Sequence, residues 1–172
     1  MVSAGLPPIV SVAGRAKVGK TTFLVKLIAE LVQRGYRIAV IKHSVHDFAL
    51  SEPGRDTWRH AQAGAQVVAF ASKSQLAITR QLESELDLDE IVPQLGLVDL
   101  VLTEGYKEAH KPKIEVSRRE QGTGLVCRRS EIIAVVSDYA VEVDVPRFDL
   151  DDAAGVADLL EQRYLRHRSP EE

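Results

Sequence analysis

The 172-residue sequence predicts an α/β fold: three layers around a mostly parallel sheet, with an antiparallel edge hairpin. Three observations carry this. Short apolar runs rich in β-branched residues recur along the chain. An amphipathic helical stretch separates the first two of them. Apolar residues make up 45% of the chain, enough at this length to cover a sheet on both faces.

Ile9–Ala13 (IVSVA) reads as a buried strand. Thr21–Gln33 places Phe23, Leu24, Leu27, Ile28, Leu31 and Val32 on one helical face, and Gly35 stops the helix. Arg37–Ile41 (RIAVI) is the next strand. Strand, helix and strand in this order form a βαβ unit, which implies parallel pairing. Thr57–Ala63 reads as a short helix ended by Gly64, with Trp58 as a core side chain. Gln66–Ala71 and Leu76–Thr79 read as strands, and Asp87–Leu95 as a helix weakened by Pro93. Val98–Thr103 and Ile132–Val136 are further buried strands. Lys113–Val116 and Gly124–Cys127 are weaker ones that supply the edge hairpin. Asp151–Arg166 closes the chain as a helix, capped by Asp151 or Asp152, with Leu159, Leu160 and Tyr164 inward. No linker or repeat interrupts residues 1–172, so one domain is expected, its polar tail 168–172 frayed.

Composition narrows the function classes. Twenty-two Lys and Arg against 25 Asp and Glu leave a formal charge of −3, too balanced for a generic nucleic-acid binder. The single cysteine, Cys127, excludes an internal disulfide framework and reads as a packed or half-exposed thiol. No stretch approaches the roughly 20 apolar residues of a membrane span. Met1–Pro8 is short and lacks a basic start, unlike a signal peptide, so a soluble cytoplasmic protein is expected.

The chemistry concentrates after the first strand. Gly14-Arg15-Ala16-Lys17-Val18-Gly19-Lys20-Thr21 fits G-x-x-x-x-G-K-[ST], with Thr22 next. Gly14 allows a sharp turn out of the strand. Gly19 allows backbone N–H groups to approach a phosphate, helped by the positive end of the following helix. Lys20 then reaches the β- and γ-phosphates, and the Thr21 hydroxyl ligates Mg²⁺. The motif leaves a strand and opens a helix, the context of the P-loop NTPase fold.

Such a loop needs an acid near the metal. Glu104 directly follows the strand Val98–Thr103, and ligands of open α/β sheets bind at the carboxyl ends of strands. It is therefore expected to hold the metal or position water. Lys42-His43-Ser44-Val45-His46-Asp47 and Glu52-Pro53-Gly54-Arg55-Asp56 leave the second strand on the same side. Asp47 and Asp56 are the candidate second acids. His43 and His46, with no cysteine near, make a poor zinc site. Asp99, at the opposite end of the Glu104 strand, reads as structural. Lys107, Lys111, Lys113, Arg118 and Arg119 form a mildly basic stretch, by default a solvated face and otherwise a site for an anionic ligand or partner.

Together, Gly14–Thr22 with its helix, Ile38–Phe48 (IAVIKHSVHDF), Pro53–Ala65 (PGRDTWRHAQAGA) and Asp99–Val116 (DLVLTEGYKEAHKPKIEV) resemble the MobB family. These are nucleotide-binding adaptors of molybdopterin-guanine dinucleotide biosynthesis, and the resemblance extends from Pro8 to Leu165. It implies a GTP-binding protein with weak GTPase activity, working beside the guanylyltransferase that joins GMP to molybdopterin. It also implies a homodimer, often intertwined through β-structure. Lys20 and Thr21 are implied to bind phosphate and Mg²⁺, and Glu104 is implied to be the Walker B acid. Two features depart from the family. Arg15, Ala16 and Lys17 stand where small residues and a Gly or Ser are common. No N-K-x-D guanine-reading sequence is present, and Asp138 is only a weak substitute. Direct contact with molybdopterin is a further expectation, through the loops His43–Asp56 and Gly105–Lys113. The competing readings are a P-loop small-molecule kinase, whose acceptor base is missing, and a partner-switching ATPase.

Overall fold

The computed structural model describes residues 6–44 and 54–165. Its chain divides into two compact units, one of Met1–His43 with Val92–Glu172 and one of Ser44–Ile91.

The larger unit is a sheet of six strands: β1 (Ile9–Ala13), β2 (Ile38–Lys42), β5 (Leu100–Glu104), β6 (Lys113–Ser117), β7 (Ile132–Ser137) and β8 (Arg147–Phe148), in the order β2-β5-β1-β6-β7-β8. Every adjacent pair is parallel. β1 is central, with β5 on one side and β6 on the other. The chain first leaves β1 toward β2 and β5, then crosses to β6. The carboxyl ends of β1, β5 and β6 therefore border the crevice where such sheets bind ligands.

The two faces of the sheet differ because successive side chains point opposite ways. Val10, Val12, Leu100, Leu102, Ile114, Val116, Ala134 and Val136 face one way. They pack beneath α1 (Lys20–Gln33) and α4 (Ala153–Tyr164). From α1 come Phe23, Leu24, Leu27 and Leu31; from α4 come Val156, Ala157 and Leu160. Leu27 and Leu31 have no exposed surface, so each contributes about 1.5–3 kcal/mol by burial. The start of α4 is fixed by Asp152, whose carboxylate accepts from the Gly155 N–H at 2.9 Å. Arg34 ties the two helices together through Glu30, Asp158 and Glu161.

The other face buries polar groups: Ser11, Thr103, Lys113, Glu115, Ser117 and Ser137. Each has a partner. Thr103 Oγ1 donates to Ser11 Oγ at 2.8 Å. Lys113 donates to the Ala109 and Lys111 carbonyls and to Glu131 Oε2, the last at 2.7 Å. Glu115 accepts from the Val126 and Cys127 N–H groups at 2.7 and 3.0 Å. Ser117 and Tyr139 share a hydroxyl–hydroxyl bond of 2.7 Å. Buried polar groups are tolerable only when satisfied in this way.

This arrangement corrects one expectation. Lys113–Val116 does not form an edge hairpin with Gly124–Cys127. It belongs to β6, inside the parallel sheet between β1 and β7, and Gly124–Cys127 is not a strand. Its alternating polar residues mimic a half-solvated edge, but loop donors and acceptors satisfy them inside the protein.

The antiparallel hairpin lies in the unit Ser44–Ile91. There β3 (Val67–Ala71) pairs with β4 (Leu76–Arg80) as a separate two-stranded sheet, preceded by α2 (Asp56–Gln62). Trp58 is half-buried. Val67, Phe70, Leu76 and Ile78 are all at least half exposed. The helix expected at Asp87–Leu95 divides into α3 (Leu88–Ile91) and a 3₁₀ turn, Val92–Leu95, that contains Pro93.

Candidate nucleotide-phosphate site

The loop from Gly14 to Gly19 joins β1 to α1. A Cβ added at Gly14 would lie 2.2 Å from the Val116 carbonyl oxygen, because the loop crosses the end of β6 there. Gly14 has φ 141° and Gly19 has φ 93°, both in the range that favours glycine. Lys17 also has positive φ, 61°, a conformation that glycine adopts without strain. Arg15, Ala16 and Lys17 are exposed, whereas Val18 is buried and anchors the loop. A Cβ added at Gly122 would lie 3.9 Å from Arg15 Nε, so the guanidinium lies near that turn.

Helix α1 starts unlike α4. Gly19 is its N-cap, no side chain caps it, and its first turn holds no acid. A helix start leaves N–H groups without intrahelical partners and carries partial positive charge. Here Lys20, Thr21 and Thr22 form that first turn. Lys20 Nζ donates to the Gly14 and Arg15 carbonyls at 3.1 and 2.7 Å, so its ammonium lies across the loop. Burial lowers its pKa from the usual lysine value, and the nearby Glu104 carboxylate opposes that shift.

Glu104 ends β5 on the face that carries α1. Its Oε1 accepts from Thr21 Oγ1 at 2.6 Å and lies 3.7 Å from Lys42 Nζ. The hydroxyl and carboxylate expected at a metal are therefore adjacent across 83 positions of sequence. One hydroxyl and one carboxylate suit Mg²⁺, which takes its remaining ligands from phosphate and water. Among the described residues no cluster of three or more His, Cys, Asp or Glu forms a metal cage.

The other candidates are placed as follows. His43 follows β2, donates its N–H to the Glu104 carbonyl at 3.0 Å and stacks at a tilt on Tyr106, with centroids 4.8 Å apart. Asp56 is exposed and starts α2, within the unit Ser44–Ile91. Asp47 and His46 lie outside the described residues. Asp99 binds Arg37 through both carboxylate oxygens, the structural role expected. Asp138 accepts from the Arg119 N–H at 2.9 Å.

The basic stretch is not one solvated face. Lys113 is fully buried and ion-paired to Glu131. Arg118 is half-buried against Gly19. Sequence reasoning missed both, although alternation from Ile114 and Val116 would have put Arg118 on the α1 face.

Cys127 is half-buried, and burial together with Glu115 pushes its thiol up to about 12. Alkylation by iodoacetamide at pH 8 is expected to be far slower than for a free cysteine, whose pKa is about 8.5. Mass spectrometry over time measures this. Rapid stoichiometric labelling of the folded protein would show the thiol to be ionised.

Among the described residues no helix is long and apolar enough to cross a membrane. Residues 9–138 match the family model described as MobB, molybdopterin guanine dinucleotide synthesis protein B. The chain is similar to the molybdopterin-guanine dinucleotide biosynthesis adapter protein of Haemophilus influenzae, at 36% identity over 93% of this chain and 90% of that protein. The Escherichia coli protein of that name is 35% identical, over 93% and 95% of the two chains. Among solved structures, a Bacillus subtilis MobB superposes with a TM-score of 0.74 at 28% identity, covering 94% of this chain and 99% of that one. A further MobB crystal structure gives 0.70 at 30% identity, covering 90% and 98%. With the family model spanning most of its length and a phosphate-type loop where the sheet opens, the chain belongs to the MobB family.

Proposed function

We propose that this chain is a GTP-binding adaptor with weak, Mg²⁺-dependent GTPase activity, serving molybdopterin-guanine dinucleotide biosynthesis in the cytoplasm beside a molybdenum-cofactor guanylyltransferase. The observation that carries this reading is the contact between Thr21 and Glu104 at the uncapped start of α1, beside Lys20. Gly14, Gly19 and the first-turn N–H groups fit a polyphosphate. Thr21 and Glu104 fit a Mg²⁺ ion, which when bound neutralises charge on the β- and γ-phosphates. Asp47 and Asp56 remain proposed second acids. Guanine is preferred over adenine on the strength of the relatives' names, and molybdopterin is proposed to contact the loops around His43 and Gly105–Lys113.

The same reading includes a homodimer. An isolated two-stranded ribbon is marginal in water, and β3–β4 exposes Val67, Ala69 and Ala71 beside Leu76 and Ile78 on one face. A second copy of the chain would cover it.

The test is binding of the guanylyltransferase partner in the presence of GDP and of a non-hydrolysable GTP analogue, with ATP as competitor and single-turnover hydrolysis in parallel. A nucleotide biases an adaptor only if it favours one of two states. Partner affinity is expected to differ between the two nucleotides, with hydrolysis well below the ~10 s⁻¹ typical of enzymes. Glu104→Gln is expected to slow hydrolysis more than it weakens binding. Rapid phosphate transfer to a small acceptor without partner dependence would replace the adaptor by a kinase, and ATP preference would point to a partner-switching ATPase.

A further inference from the structure

The start of α1 is flanked on two sides. Glu104 ends β5 on one side of β1; Arg118 follows β6 on the other. Both lie on the α1 face of the sheet. Leu100 and Leu102 set that parity for Glu104, and Ile114 and Val116 set it for Arg118, whose backbone is still extended at φ −125° and ψ 139°. The Arg118 guanidinium runs alongside Gly19: a Cβ there would lie 3.5 Å from one terminal nitrogen and 3.6 Å from Nε. Nε is buried and has no hydrogen-bond partner among the described residues. Asp151, which binds Lys26, also feels the Arg118 charge.

This is an unfavourable place for a cation. The positive end of a helix repels it, and a buried donor without an acceptor costs free energy. An anion at the loop reverses both effects. Phosphate is the best match, because a guanidinium presents several donors in a fixed fork. The position also says which phosphate. Thr21 and Glu104, which would hold a Mg²⁺ ion, lie on the β5 side, and the ion would neutralise charge at the γ end of a triphosphate. A triphosphate would therefore run from its γ end at β5 toward its nucleoside end at β6.

We propose that Arg118 binds the α-phosphate of the nucleotide, making it a binding residue for the nucleoside end that reads neither the γ-phosphate nor the metal. This rests on the nucleotide-binding reading above.

The experiment titrates fluorescent GMP, GDP and a non-hydrolysable GTP analogue into the full chain with Mg²⁺, comparing wild type with Arg118→Met and Arg118→Lys. Methionine keeps most of the packing while removing the charge, and thermal melting checks the fold. Arg118→Met is expected to weaken all three nucleotides by the same factor, about tenfold. Arg118→Lys is expected to recover part of the loss. Unaltered affinities in a folded Arg118→Met protein would overturn the assignment. So would a loss confined to the GTP analogue, which would place Arg118 at the γ-phosphate. Absence of nucleotide binding by the wild-type chain would instead remove the nucleotide-binding reading itself.

Discussion

Lys20→Ala is expected to weaken binding of GTP and Mg²⁺ by about 30- to 150-fold, equivalent to ~2–3 kcal/mol for a lost charge-assisted contact. Lys20 Nζ is held across the loop by the Gly14 and Arg15 carbonyls. The ammonium is thus ordered before a nucleotide arrives, and little side-chain entropy is lost on binding. Its partial burial amplifies the interaction with phosphate, since few waters screen it. The melting temperature is expected to stay near wild type, because the lost partners are two carbonyls at the edge of the site. Calorimetric titration and thermal melting measure the two quantities. A folded Lys20→Ala protein with undiminished affinity would refute the phosphate site as a whole.

Gly14→Ala is expected to produce the largest loss of stability at the site, about 3 kcal/mol or more. The cause is geometric. The new Cβ would lie 2.2 Å from the Val116 carbonyl oxygen and 3.2 Å from its carbon. Backbone atoms have no rotamer to escape into, so the loop or β6 must move. Gly19→Ala is the control. It meets only the Arg118 side chain, at 3.5 Å, and bears mainly the conformational penalty of its φ of 93°, about 1–2 kcal/mol. Urea unfolding of both variants orders them. Gly14→Ala within 1 kcal/mol of wild type, on the urea scale used for such comparisons, would show that the crossing of loop and strand is looser than described.

Much of the candidate site was legible because its signals are local. A strand, a glycine-rich turn and an amphipathic helix follow one another from Ile9 to Gln33. Glu104 was legible too, as an acid at the end of an apolar strand. The order of strands was not, since pairing of β1 with both β5 and β6 is a tertiary fact. Lys113 and Glu115 misled for a related reason. Alternating charge normally marks a solvent face, and nothing local announces that Glu131, Val126 and Cys127 return to satisfy them. Arg118 stayed hidden in a basic stretch until the parity of β6 was known.

The hydrogen-bonded underside of the sheet acts as a gauge. A one-residue slip of β6 against β1 would turn Lys113 and Glu115 into the apolar layer beneath α1 and α4. It would also set Ile114 and Val116 against the groups that now serve those charges. Side chains in a strand alternate, so the whole set would be wrong at once. An unpaired charge inside such a layer is among the costliest defects a protein can carry. A slip by one residue is therefore excluded. That parity keeps the carboxylate that ends β5 and the guanidinium after β6 on the same face, as a ruler keeps its marks along one edge. The carboxylate and the guanidinium are thus kept in step by residues that touch neither of them.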